Sequence, residues 1–124
     1  GADSNIQDGA VLHGQLGEWP VEIGERVSIG HQATVHGAVI ENDALVGIGA
    51  RILDGCRIGA HSLIAAGAVV REGTVIPPRS LVVGVPAKVK RELSDHELDI
   101  ITRTPKRYFA YAQKTEQALK DSGY

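Results

Sequence analysis

Large rings are scarce in this chain. Aromatic residues make up 4% of its 124 positions, with one Trp, one Phe and three Tyr, so they cannot form the bulk of a core. A single Cys excludes an intrachain disulfide framework and any paired-cysteine zinc or redox motif. The longest apolar stretches, such as residues 63–70, fall far short of the roughly 18–20 residues a membrane span needs. No secretory signal pattern is visible, and a cytoplasmic location is the expectation. An excess of one charge is missing too: 13 Lys and Arg stand against 15 Asp and Glu, for a formal net charge of −2. A general nucleic-acid or anionic-membrane binder would carry a basic surplus. Met is absent, so the expectation is a chain that begins after a longer natural N-terminus.

What the chain has instead is Gly, 15 residues of 124 where about 7% is usual, together with 24 Ile and Val. Such a mixture of small and β-branched residues favours many short strands joined by tight turns over a helix bundle. The pattern confirms a repeat. Stepping by six from Ile40 gives Val46, Ile52, Ile58, Ile64, Val70, Ile76 and Val82. Eight aliphatics in one frame have a chance probability on the order of one in 10⁵, so the hexapeptide period is real. A second frame holds Val11, Ile23, Ile29 and Val35, one residue out of step with the first. Three residues after the aliphatic come Gly49, Gly55, Gly67 and Gly73, where a turn can use positive φ. Four residues after it come Ala44, Ala50, Cys56, Ser62, Ala68, Thr74 and Ser80, small enough for a tight corner.

A period of six fits neither a 3.6-residue helix nor a simple alternating strand. It fits a triangular solenoid with about 18 residues per coil, in which each face pairs with the coils above and below at about 4.8 Å. The expected architecture is an all-β solenoid over residues 1–90 and a helical segment over 91–124 packed on it, as one domain. Ser94 and Glu97 form a capping-box pattern. Thr104-Pro105 reads as a second N-cap, so the segment is either one kinked helix or two. Tyr108, Tyr111, Ala112, Thr115 and Leu119 make an amphipathic stripe expected to lie along the prism.

Three of the five His, at positions 13, 31 and 36, fall in the first coils. His31 follows His13 by 18 residues, each two places after an aliphatic, so the spacing predicts that these two stack; His36 lies near the next corner. Three neutral imidazoles with an open fourth position suit a catalytic Zn²⁺, Co²⁺ or Fe²⁺. His61 reads as a repeat-corner residue, His96 as part of a helix start, and Cys56 as packing.

The segments Asn5-Ile-Gln-Asp-Gly-Ala-Val-Leu-His13 and Ile29-Gly-His31-Gln-Ala-Thr-Val-His36-Gly37 resemble the signature of γ-class carbonic anhydrases, and Val85-Pro-Ala-Lys-Val-Lys-Arg91 is similar to the segment closing their solenoid. The resemblance implies a left-handed parallel β-helix assembled as a homotrimer, with one metal ion (Zn²⁺, or Co²⁺ or Fe²⁺) per subunit interface. It implies that His13 and His36 come from one subunit and His31 from the next. Gln7 matches a residue that positions solvent or bicarbonate, and Asn5 and Asp8 match residues supporting the site and the subunit contact. The implied reaction is reversible CO₂ hydration by a metal-bound hydroxide, with CO₂ and bicarbonate as the small-molecule partners and no nucleic acid or membrane.

Two departures are visible. The family carries further coils before this motif, including an Arg that pairs with the residue matching Asp8, whereas four residues precede Asn5 here. The expectation is an uncovered first coil, completed by a missing segment or by stacking of trimers. The family's most active members have a longer acidic loop after the first metal His. Here the insert is Gly14-Gln-Leu-Gly-Glu-Trp-Pro20, where Glu18 is the one carboxylate and the candidate proton shuttle, and Trp19 is expected to cover the loop. Two other functions remain compatible with the repeat: a hexapeptide acyltransferase or thioester enzyme using one His as general base, and a catalytically weak structural trimer.

Overall fold

Fourteen strands and one helix follow one another among the described residues. They are β1 (Asn5–Ile6), β2 (Val11–His13), β3 (Glu22–Ile23), β4 (Ser28–Ile29), β5 (Thr34–His36), β6 (Val39–Ile40) and β7 (Leu45–Val46), then β8 (Arg51–Ile52), β9 (Arg57–Ile58), β10 (Leu63–Ile64), β11 (Val69–Val70), β12 (Val75–Ile76), β13 (Ser80–Val83), β14 (Lys88–Glu92) and α1 (Asp95–Asp121). The computed structural model describes residues 1–123. The first thirteen strands wind into a left-handed parallel β-helix with three faces. Face one stacks β1, β4, β7, β10 and β13; face two stacks β2, β5, β8 and β11; face three stacks β3, β6, β9 and β12. β14 then folds back antiparallel to β13 and closes the sheet before the helix.

The hexad explains the core. In the regular coils the aliphatic of each hexad points inward and meets its counterpart one coil away: Ile58 lies between Ile40 and Ile76, and Ile64 between Val46 and Val82. These residues are at most 3% exposed. Ala44, Ala50, Cys56, Ser62, Ala68 and Ser80 are buried with them at the corners. The turn positions take positive φ whether or not they are Gly: Gly49 and Gly67 at 67° and 69°, Asp43 and His61 at 59° and 57°. Left-handed backbone costs a non-Gly residue roughly 1–2 kcal/mol. At one corner the residues bearing that cost stack as Asp3, Arg26, Asp43, His61 and Arg79. Arg26 donates from Nε and Nη2 to Asp43 at 2.7 and 3.1 Å, so charge pairing offsets part of the strain.

The early coils depart from the arithmetic, and the frame reading of β2 requires correction. The inward residue of β2 is Leu12, paired with Val35, and not Val11, which pairs with Thr34. Asn5 pairs with Ser28, 23 positions later, because the insert lengthens the first coil. Ser28 pairs with Leu45, 17 positions later, because the turn through Gly37 is one residue short.

Of the two alternatives for the helical segment, the single helix is formed: it runs continuously through Pro105, and the Thr104 hydroxyl donates to the Ile100 carbonyl at 3.0 Å instead of capping a second helix. The Ser94–Glu97 capping box is formed as expected. The buried helix residues are Ile101 and Pro105, and the contact is to β1 and β4. Tyr111, Ala112, Thr115 and Leu119 are exposed, so the stripe does not pack on the solenoid beyond Tyr108. A stripe of aliphatics would bury more area there than this one, which mixes Tyr and Thr hydroxyls with a single Ala and a single Leu.

Candidate metal centre

The lengthened first coil decides which His meet. β2 pairs with β5 so that His13 stands opposite His36, and the stacking of His31 on His13 does not occur. An 18-residue step is one coil only where no insert intervenes; here the step across the insert is 23. His31 instead follows Asp8 by one rung, since the Gln32 N–H donates to the Asp8 carbonyl at 3.0 Å. It sits three residues before β5, at the corner between faces one and two, whereas His36 ends β5 next to the corner between faces two and three.

His13 Nδ1 and His36 Nε2 face each other at 3.0 Å, with ring centroids 4.9 Å apart and planes inclined by 31°. His13 is exposed and His36 half-buried. The other nitrogen of His36, Nδ1, lies 2.6 Å from Asp54 Oδ1. An ionised carboxylate can only accept, so this contact calls for a proton on His36 Nδ1, and in the neutral ring the Nε2 lone pair then faces His13. A tetrahedral cation with bonds of about 2.0–2.1 Å holds two nitrogens about 3.3–3.4 Å apart, so the pair stands within a few tenths of an ångström of a metal-binding spacing. The donor chemistry fits a borderline cation. Among the described residues of one protomer, no three His, Cys, Asp or Glu side chains converge on one point.

The corner that carries His31 has its own polar set. The Gln7 amide donates to Asn5 Oδ1 at 3.0 Å, and the Asn5 amide donates to the buried Ser28 hydroxyl at 2.8 Å. That chain fixes Gln7, and among the described residues no donor reaches its side-chain Oε1. The Tyr108 hydroxyl comes to 3.5 Å from His31 Nε2, with the two rings edge to face. Tyr108 in turn packs edge to face on Tyr111, whose hydroxyl the Arg107 guanidinium holds below the usual phenol range. Glu18 accepts from the Gln15 amide at 3.1 Å inside the insert, and this is its side-chain hydrogen bond among the described residues. Trp19 lies over the corner glycines: a Cβ on Gly55 would come within 3.0 Å of its ring. His61 stands 3.9 Å from Asp43 at its repeat corner, and Cys56 is buried with its thiol near the Arg71 carbonyl.

Two residues escaped the sequence reading. Asp54 lies one rung from Gly37 and 18 residues after His36, so a search for carboxylates one nominal coil from each His would have found it. Tyr108 was visible only as part of a stripe, because no repeat links the helix to the corner it touches.

Comparison with known proteins agrees with this architecture. The profile of the bacterial transferase hexapeptide family (six repeats) matches residues 37–72. The chain is 39% identical over 120 residues to "Gamma carbonic anhydrase 2, mitochondrial" of Arabidopsis thaliana, covering 91% of this chain and 42% of that protein. It is 38% identical over 121 residues to "Carnitine operon protein CaiE" of Salmonella agona, covering 98% of this chain and 61% of that protein. The chain thus spans roughly half the length of these curated relatives. A solved Bacillus cereus structure, named "putative acetyltransferase", superimposes with a TM-score of 0.87 at 37% identity over 94% of this chain and 67% of its own. By these likenesses the chain belongs to the hexapeptide-repeat family that includes the γ carbonic anhydrases and CaiE.

Proposed function

We propose that this protein is a γ carbonic anhydrase-like metalloprotein that catalyses the reversible hydration of CO₂ as a homotrimer. The observation that carries the reading is the His13–His36 pair, nitrogens facing at 3.0 Å, with one ring orientation fixed by a carboxylate. One protomer supplies two ligands of a site that needs at least three. A neighbouring copy would complete it by presenting the corner with His31 to the His13–His36 pair. Zn²⁺, Co²⁺ and Fe²⁺ all suit three imidazoles. Such a cation would lower the pKa of its water towards about 7 and so make hydroxide available near neutral pH.

The chain's own residues then have distinct tasks. Asn5 and Ser28 hold Gln7, one rung above Gly30, on the same corner as His31, so both would reach the site together. The Gln7 side-chain Oε1 is an acceptor for a water or bicarbonate proton. Asp8, exposed one rung above His31, would meet the neighbouring subunit. Glu18 stands on the insert that follows His13 and offers a solvent-facing carboxylate for proton exchange. CO₂ hydration assayed before and after metal removal tests the reading: activity should vanish with the metal and return with added Zn²⁺ or Co²⁺.

One observation favours a second reading. A His with a carboxylate behind it, as His36 and Asp54 are arranged, is also the form of a general base for acyl transfer. The acetyltransferase name of the B. cereus relative points the same way. Acyl transfer to an amine or hydroxyl that survives complete chelation would favour this reading over the first. A metal-loaded trimer inert in both assays would leave a structural role.

A further inference from the structure

We infer that Asp54 is a positioning residue for the metal centre: its carboxylate sets the tautomer of His36 and thereby the affinity of the site for its cation. The inference rests on the metal reading above and extends it. Asp54 Oδ1 is 2.6 Å from His36 Nδ1, and both side chains are about one-third exposed, at 30% and 35%. The carboxylate reaches that place because the scaffold is rigid around it. The Asp54 carbonyl accepts from the Gly73 N–H and the Gly37 carbonyl accepts from the Gly55 N–H, both at 2.8 Å, so the three rungs of this corner are locked together. Gly37 is what lets the carboxylate approach. A Cβ there would collide with Asp54 Oδ1 and come within 2.7 Å of the Trp19 Cβ. Trp19, delivered by the insert, flanks Gly37 beside the carboxylate and packs on Gly55, which borders Asp54 in sequence. The insert therefore has a role that its single carboxylate did not suggest: it walls the His36–Asp54 contact.

Imidazole binds a cation through an unprotonated nitrogen. Without Asp54, His36 can place its proton on Nε2, the atom that faces His13, and the lone pair is then lost to the site. With Asp54, the proton stays on Nδ1 and the contact restrains the ring's rotation. Carboxylates behind metal-binding His change metal affinity by about 10–100-fold when mutated. A simple staple between rungs would show a different signature. It would lower thermal stability and leave metal affinity alone.

The test uses the full trimeric protein and zinc competition against a chromophoric chelator, with the visible spectrum of the Co²⁺ form as a second readout. Asp54→Asn keeps the shape and removes the charge; Asp54→Ser serves if the Asn variant fails to assemble. The expected result is zinc affinity weaker by about 10–100-fold and a changed Co²⁺ band, in a trimer of unchanged mass. Wild-type affinity and spectrum in Asp54→Asn would overturn the inference. His36→Ala separates the two levels. If it loses zinc while Asp54→Asn does not, only the role of Asp54 fails; if the wild type itself binds no zinc, the metal reading fails and this inference with it.

Discussion

A site divided between subunits can be rebuilt from two broken halves. His31→Ala and His36→Ala each remove one imidazole from every interface of a homotrimer, and neither variant alone should retain zinc through chelator competition. Their effects should exceed the 10–100-fold loss expected for an outer partner such as Asp54. Co-expressed in equal amounts, the two variants behave differently. In the proposed trimer the interface is heterologous, with His13 and His36 from one protomer and His31 from the next. In a random mixture about half of the protomers carry an intact pair and about half carry an intact His31. About one quarter of the interfaces then recover all three ligands, and zinc content and CO₂ hydration should both return to about one quarter of wild type. The reasoning starts from the structure: His13 and His36 pair across β2 and β5, while His31 lies at a different corner. Zinc analysis of the purified mixed trimers decides it. No recovery above the single variants would refute the divided site.

The other expectations concern the scaffold. Ile58 is fully buried between Ile40 and Ile76, so Ile58→Ala should cost about 2–5 kcal/mol in chemical denaturation, whereas Val75→Ala, at a site 68% exposed, should change stability by less than about 0.5 kcal/mol. The Arg91 guanidinium and the Ser94 cap pull the Glu97 carboxyl from 4.5 down to about 2, so its stabilisation of the helix start is whole above pH 4.5 and is lost as pH falls through 2. Helical ellipticity should decline across that window, and Glu97→Gln should flatten the decline. Burial raises the Cys56 thiol pKa, so an alkylating reagent at neutral pH should label Cys56 in denaturant and spare it in the native protein.

The regular coils were legible in the sequence because each inward Ile or Val repeats what its neighbours one coil away require. From Ile40 onward the frame, the turn positions and the small corner residues are all where the period places them. The same arithmetic misled at the first coil. Val11 and Leu12 are both aliphatic, and choosing the wrong one shifted the frame by a residue and set His31 over His13. Register depends on the length of the insert, and nothing in composition says how many of its residues leave the coil. The signature motif carried different information, grouping His13 with His36, and the pairing of β2 with β5 places those two rings together. The helix was legible at its start, where Ser94 and Glu97 cap reciprocally. At Pro105 the sequence left one helix or two open, and the structure has one, with that ring buried against the solenoid.

The measurement that bears most directly on the account is native mass spectrometry of the protein purified without chelator, which reports assembly and metal content together. The account expects a trimer carrying three metal ions, one per interface. A metal-free trimer that also refuses added zinc would contradict it: the solenoid would stand and the carbonic anhydrase-like centre would not.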